Sequence, residues 1–268
     1  AYVKPNQSDE TRLIADTRFR GPLATRDVQL SGLGGLSLKT DKSKYSLKFL
    51  RIQNGTERAA QRVRVRSNNN FNTSFVDNLE YTERAVNNAT FSGKHSFTSS
   101  NTTLDWKLAG TFMRIDDKDV RATPFTEEED GSLTINAQEG GDPFRIWRLL
   151  DEQNFSGRVD YEKAFDWRGL ESKIKVGTSA LFKERDYEIQ DFFIDIFANP
   201  NVPFNGDPDR LLIDENIINN AEGGTYISSS FQENNSYNGR IQNLAAYVST
   251  ELALTEKVKT VLGVRAEN

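Results

Sequence analysis

The sequence predicts an all-β chain of the antiparallel transmembrane β-barrel class, and three observations carry that prediction. Apolar and polar residues alternate at period two, the alternating segments come in pairs joined by tight polar turns, and the pairs are separated by much longer polar stretches. The alternation is clearest over 170–182. There Leu170, Ile174, Val176, Ala180 and Phe182 share one parity, while Glu171, Lys173, Lys175, Gly177, Ser179 and Lys183 hold the other. Successive side chains of a strand point to opposite faces, so this segment has one apolar and one wet face.

The first pair is a strand at 27–39, a turn at 40–44 and a return at 45–53. The second descends through Ala89, Phe91, Gly93, His95 and Phe97, turns at 98–102 and climbs through Leu104, Trp106, Leu108, Gly110 and Phe112. Phe155, Gly157, Val159, Tyr161 and Phe165 begin the third, which turns at 166–169 and rises along the segment described above. The last carries Leu244, Ala246, Val248, Thr250 and Leu252, turns at 255–257 and returns through Val258, Thr260, Leu262, Val264 and Ala266. Eight strands result. The connections at 54–75, 116–154 and 184–238 are far longer than the hairpin loops of compact soluble domains and are rich in Asn, Asp, Glu, Gly and Pro. In a transmembrane barrel the short turns are periplasmic and the long loops extracellular. Tyr45, Phe97, Phe165 and Trp167 lie at or near the short turns, where a ring with an apolar body suits a lipid–water boundary.

Composition fits this class. Hydrophobic residues make up 36% of the chain, and no run approaches the ~18 apolar residues of a membrane helix. A barrel needs only alternate residues over about ten positions per strand to meet lipid. The net charge of −5, with Lys and Arg scattered, offers no footprint for nucleic acid. With no cysteine there are no disulfides or thiolate metal sites. Short turns on the periplasmic side put both ends of the eight-strand set outside the cell. Complete single-chain barrels keep both termini periplasmic, so the expectation is consecutive staves of a larger barrel, with residues 1–268 forming part of one barrel domain.

The stretches KYSLKFLRIQNGTERAA, NLEYTERAVNNATFSGKHSF, TLDWKLAGTFMRIDDKD and especially NLAAYVSTELALTEKVKTVLGVRAEN resemble the barrel portion of TonB-dependent outer-membrane receptors of the Bacteroidetes type. The resemblance runs from about Gly32 onward and weakens in the long connections. It implies a 22-stranded barrel in the outer membrane of a Gram-negative bacterium, closed by a plug that this chain does not contain. It further implies TonB-driven uptake of a scarce nutrient such as a siderophore, metal complex, cobalamin or glycan. The partners implied are outer-membrane lipid, the nutrient, and the TonB complex acting through the plug.

Catalytic chemistry is poorly represented. His95, the only histidine, shares a strand face with Phe91 and Phe97 and reads as structural or interfacial, so neither a catalytic triad nor a multi-histidine metal site is expected. The acidic clusters at 116–119 and 127–130 lack calcium-loop spacing and read as solvated loop, and 207–215 reads as a short ordered turn or helix within a loop. The glycines of 31–35 continue as strand and do not form a phosphate-binding fingerprint. No enzyme activity and no cofactor is expected. Ligand-binding candidates are Arg145, Trp147 and Arg148, which end one long connection, and Arg185, Tyr187 and Tyr226 in the next. They could offer stacking surfaces and anion-pairing donors at a pore mouth. The alternative reading is a soluble extracellular all-β binding module of sandwich or carbohydrate-binding type, which would have to cover its apolar strand faces with a second sheet.

Overall fold

Alternation at period two buries nothing by itself, so the segments must pair laterally, and they do. The computed structural model describes residues 2–6, 9–66, 73–137, 140–197, 202–217, 223–229 and 232–268. In chain order the strands are β1 (Tyr2–Asn6), β2 (Asp9–Arg20), β3 (Leu23–Lys39), β4 (Ser43–Arg66), β5 (Thr73–Phe97), β6 (Thr102–Glu127), β7 (Leu133–Thr134), β8 (Phe144–Trp167), β9 (Leu170–Phe197), β10 (Gly224–Ser228), β11 (Ser236–Ala253) and β12 (Lys259–Glu267). All join one antiparallel sheet, and helix is confined to three single 3₁₀ turns among the described residues. The eight long strands β3, β4, β5, β6, β8, β9, β11 and β12 lie side by side in that order. They are the eight predicted from sequence. Both β2 and β3 pair with β4, so they act as one strand interrupted at 21–22, and β1 folds back on β2.

The four tight turns fall where the polar breaks predicted them. Between β8 and β9, Arg168 and Gly169 both take positive φ, 59° and 78°, as a two-residue hairpin of matching twist requires, and the Asp166 carboxylate accepts the Gly169 N–H at 2.9 Å. At the β3–β4 turn the Thr40 hydroxyl oxygen accepts the Ser43 N–H at 3.0 Å.

The predicted long loops need correction. Much of 54–75, 116–154 and 184–238 is strand, so β4, β5, β6, β8 and β9 run to between 24 and 28 residues. In these extensions polar and apolar residues mix on both faces, as Ile146 and Leu150 on one face of β8 and Trp147 and Leu149 on the other illustrate. The alternation therefore fades while the backbone ladder continues, braced by cross-strand ion pairs such as Arg240–Glu184 at 2.7 Å and Lys118–Glu83 at 2.7 Å. Parts of the predicted loops at 67–72, 138–139, 198–201, 218–222 and 230–231 lie outside the described residues. What remains of the last connection packs on the strand tips, where Phe204 and Leu211 join Phe125 and Ile194 in a small buried cluster. The stretch 207–215 opens with a 3₁₀ turn, Pro208–Arg210. Asn216 pins this loop by accepting the Val202 N–H at 2.8 Å and donating to the Val202 and Arg210 carbonyls.

Strand register sorts side chains into rows across the sheet. One apolar row runs Leu36, Leu47, Phe91, Leu108, Gly157, Ala180, Leu244; the next runs Leu38, Tyr45, Gly93, Trp106, Val159, Thr178, Ala246, Ala266. Two rows above the first, the same face turns polar at Arg51, Asn87, Gln153, Glu184 and Arg240. Rings mark both borders. Phe49, Phe112, Phe155 and Phe182 lie at the upper one, and Tyr45, His95, Phe97, Trp106 and Tyr161 at the lower. On β9 the apolar side chains Ile174, Val176 and Phe182 are 39%, 42% and 47% exposed, whereas Lys173 and Lys175 opposite them are only half-buried to partly exposed. The sheet is not closed: along the apolar rows β3 pairs only with β4 and β12 only with β11.

Glycines let rings lie flat on the sheet. A Cβ on Gly177 would stand 2.4 Å from the Tyr247 ring and 2.5 Å from Asp160. Tyr247 uses this space to donate its hydroxyl to Asp160, a nearly buried carboxylate also held by Arg158 at 2.9 Å. We expect Gly177→Val to displace Tyr247, strip a hydrogen bond from Asp160 and destabilise the sheet by about 1–3 kcal/mol. Gly32→Val, where nothing lies within 4 Å, is expected to be neutral. Denaturation midpoints of the two variants check this; equal midpoints would contradict it.

Candidate functional site

The strongest concentration of interacting charged and aromatic groups on the polar face lies beyond the apolar rows, where β8, β9 and β11 run alongside one another. Counting by twos along β8 puts Arg148, Leu150, Glu152 and Asn154 on this face, and along β9 Lys183, Arg185 and Tyr187. Glu152 stands opposite Arg185 and diagonal to Lys183, accepting from the Arg185 Nε at 2.8 Å and pairing with the Lys183 Nζ at 3.1 Å. Burial pushes the Glu152 carboxyl up, but Arg185 and Lys183 more than offset it and hold the group below the ordinary carboxylate range. Glu152, and secondarily the Tyr237 hydroxyl, hold Arg185 more firmly protonated.

One row further out, Tyr187 and Tyr237 stand directly opposite each other with ring centroids 5.4 Å apart and planes tilted by 43°. Arg84 occupies the same row on β5, exposed and without a partner among the described residues. The next row is a chain of polar contacts. Thr56 donates to Asp27 at 2.6 Å, Thr82 donates to Asp117 at 2.7 Å, and the Arg148 Nε lies 2.8 Å from Asp117. This wall offers guanidinium donors for carboxylates or phosphates and a pair of rings for stacking.

Of the six residues predicted from sequence, Arg148, Arg185 and Tyr187 share this wall. Arg145 and Trp147 lie on the opposite face, with the Arg145 guanidinium 5.2 Å from the Trp147 ring centroid and Trp147 edge-on to Phe192. Arg145 donates to Asp119 at 2.7 Å, as does Arg121. Asp119 sits at a bulge with φ 58°, where one extra residue in β6 shifts the register between Asp117 and Val120. Burial raises the Asp119 carboxyl and the two arginines outweigh it, leaving it low. Tyr226 is exposed on β10, opposite Asp195. Sequence reasoning missed Arg84, Asp117, Glu152 and Tyr237. Extending the parity count of β8 and β9 past Phe155 and Phe182 would have found Glu152, and the other three lie on neighbouring strands whose register that count does not fix.

The remaining motifs are absorbed by structure. Both ring nitrogens of His95 are engaged: the Trp106 indole, which can only donate, reaches Nε2 at 3.0 Å, and Ser43 lies 2.9 Å from Nδ1. The imidazole therefore carries its proton on Nδ1 and donates to Ser43. In the acidic cluster 116–119, Asp117 and Asp119 are tied up in the ion pairs just described and Lys118 pairs with Glu83, and Glu128 and Asp130 brace a turn through Gly131 and Ser132. Among the described residues no group of three or more His, Asp or Glu is placed to hold a metal ion. No protein-family model matches the chain, and no curated protein matches it.

Because the Glu152 carboxyl is lowered in the folded state, its pairing stabilises the wall above the ordinary value of 4.5 and is lost as pH falls through the folded value. Amide protection factors at 183–187, which remove the intrinsic pH dependence of exchange, are expected to be steady from neutral pH to about pH 5 and to fall below it. In Glu152→Gln they should be lower at neutral pH, with that acid dependence flattened. An acid dependence unchanged in the variant would assign it to another group.

Proposed function

We infer that this chain forms part of the wall of an outer-membrane β-barrel of the TonB-dependent receptor type, serving nutrient uptake and not catalysis. The observation that carries the inference is the continuous, exposed apolar band across eight adjacent strands, bordered by rings on both sides, on a sheet whose other face is polar. In water such a band is far larger than a soluble monomer leaves uncovered. On β9 it runs from Leu170 to Phe182, ~40 Å along the strand and about 30 Å along the membrane normal at a tilt of ~40°. That height suits a bilayer.

The soluble-module reading requires a second sheet over the apolar face, and no observation favours it. In lipid, the free edges of β3 and β12 must be met by further strands, because hydrocarbon offers no partner to backbone N–H and C=O groups. A larger barrel of the 22-stranded type supplies them. The wall of Arg148, Glu152, Arg185, Tyr187 and Tyr237 then lines the extracellular mouth, where a nutrient first meets the receptor. Coupling to TonB through a plug, and the Gram-negative outer membrane as location, rest on the sequence resemblance.

A charge on the lipid face near the bilayer midplane costs roughly 2–4 kcal/mol, whereas water-facing substitutions are mild. Val176→Arg should therefore sharply reduce the heat-modifiable species recovered in the outer-membrane fraction of the intact protein, and Lys175→Ala should leave it near the wild-type level. Equal recovery of the two variants, or wild-type protein that stays soluble without detergent, would contradict the reading.

A further inference from the structure

On the polar face near the short turns, β4, β5 and β6 carry lysines that form no ion pair among the described residues. Lys44 and Lys94 stand directly opposite each other, and Lys107, opposite Ser92, is the diagonal neighbour of Lys94. Directly opposed residues have Cβ atoms about 5 Å apart and diagonal ones about 7–8 Å, so three flexible ammonium groups can reach a common point. Lys39, opposite Lys44, extends the row to the edge of β3. All four side chains are exposed and make no ion pair or hydrogen bond among the described residues. Like charges directly opposite one another weaken a sheet. Several other charges on this face are matched: Arg158 with Asp160, Lys173 with Glu162, and Lys183 and Arg185 with Glu152, whereas Arg84 and Lys48 stand singly among the described residues.

We propose that Lys44, Lys94 and Lys107 form a binding site for a compact, multiply charged oxyanion, a solute bearing phosphate or several carboxylates. The surroundings decide the shape of the ligand. Asp105 faces Lys94 from β6 beyond ion-pair distance, and Asp160 follows it in the same row on β8. A polyanion extended across the sheet would be repelled by that pair. Along the strands the next positions on this face are the neutral Thr90 and Asn88, with Lys48 opposite Thr90. Three ammonium groups confined on one side by carboxylates therefore select a small anion over an acidic chain. The proposal rests on the polar face being the water-filled side of the barrel, and it gives the uptake path a preference for anions near its inner end.

The test is titration calorimetry of the intact, detergent-solubilised protein with inorganic pyrophosphate and, separately, citrate. The expected result is saturable binding of one or both that weakens as salt rises. The triple variant K44Q/K94Q/K107Q should bind at least tenfold more weakly, and the triple arginine variant should bind like wild type. Heat-modifiability of the same samples keeps loss of the site distinct from loss of the barrel. A folded wild type that binds neither anion, binding untouched by the glutamine variant, or tighter binding of hexaglutamate than of either small anion would overturn the proposal. Phosphate and polycarboxylate sources are separated by which probe binds tighter.

Discussion

Lateral backbone hydrogen bonding holds this chain together, because almost nothing else can. Among the described residues the buried hydrophobic side chains are only Ala122, Phe125, Ile194, Phe204, Leu211, Ala245 and Ala253, and the four that are not alanine form the small cluster at the strand tips. One sheet with no second layer buries too little apolar surface to offset the entropy of ordering its chain in water. In hydrocarbon the balance reverses. An unpaired N–H or C=O there costs several kcal/mol, so the ladder becomes the dominant stabilising element and the exposed apolar face is already in a suitable solvent.

The rest of the architecture follows from that ladder. Fixing every strand in register divides the side chains into two faces, and each face then solves its own problem. On the apolar side, rings collect at two levels, and Trp106 lies across Gly93 while its N–H is satisfied by His95. Across the polar side, charges are paired along rows: Asp27 with Thr56, Thr82 with Asp117 and Arg148, and Glu152 with Arg185 and Lys183. Asp160 shows how tightly this is arranged. It lies beside Gly177 so that Tyr247 can reach over and donate to it. The lysines of β4, β5 and β6 depart from this pattern, which is why they stand out as a place for an outside anion.

Where one strand face met lipid and the other water, the sequence was legible. Leu170 to Phe182 could be read by parity alone, and all four hairpins were visible from their polar breaks. Legibility stopped at the height where apolar and polar residues mix on both faces. After Phe49 the continuation of β4 reads Arg51, Gln53, Gly55 and Glu57 on the formerly apolar face, so period two carries no signal although the strand goes on to Arg66. The same blindness affected the site. Arg145, Trp147 and Arg148 look equivalent as neighbours at the end of a loop, but on a strand Arg148 faces away from the other two. Tyr237 acquires meaning only when register sets it against Tyr187. The bulge at Asp119, which shifts the faces by one residue, has no sequence mark beyond an Asp at positive φ.

The central claim is that the apolar face meets lipid. The chain has no cysteine, so once any cysteine elsewhere in the intact protein is replaced, single cysteines at successive positions from 172 to 190 can each carry a nitroxide in bilayers. Accessibility to oxygen, which concentrates in lipid, is then compared with accessibility to a polar nickel chelate, which stays in water. Lipid contact predicts strict alternation, with oxygen favoured at 174, 176, 178, 180 and 182 and the chelate at the odd positions between them, and the alternation ending at Glu184, where both faces become wet. Chelate accessibility at the even positions equal to that at the odd ones would show that water, not lipid, covers the apolar face.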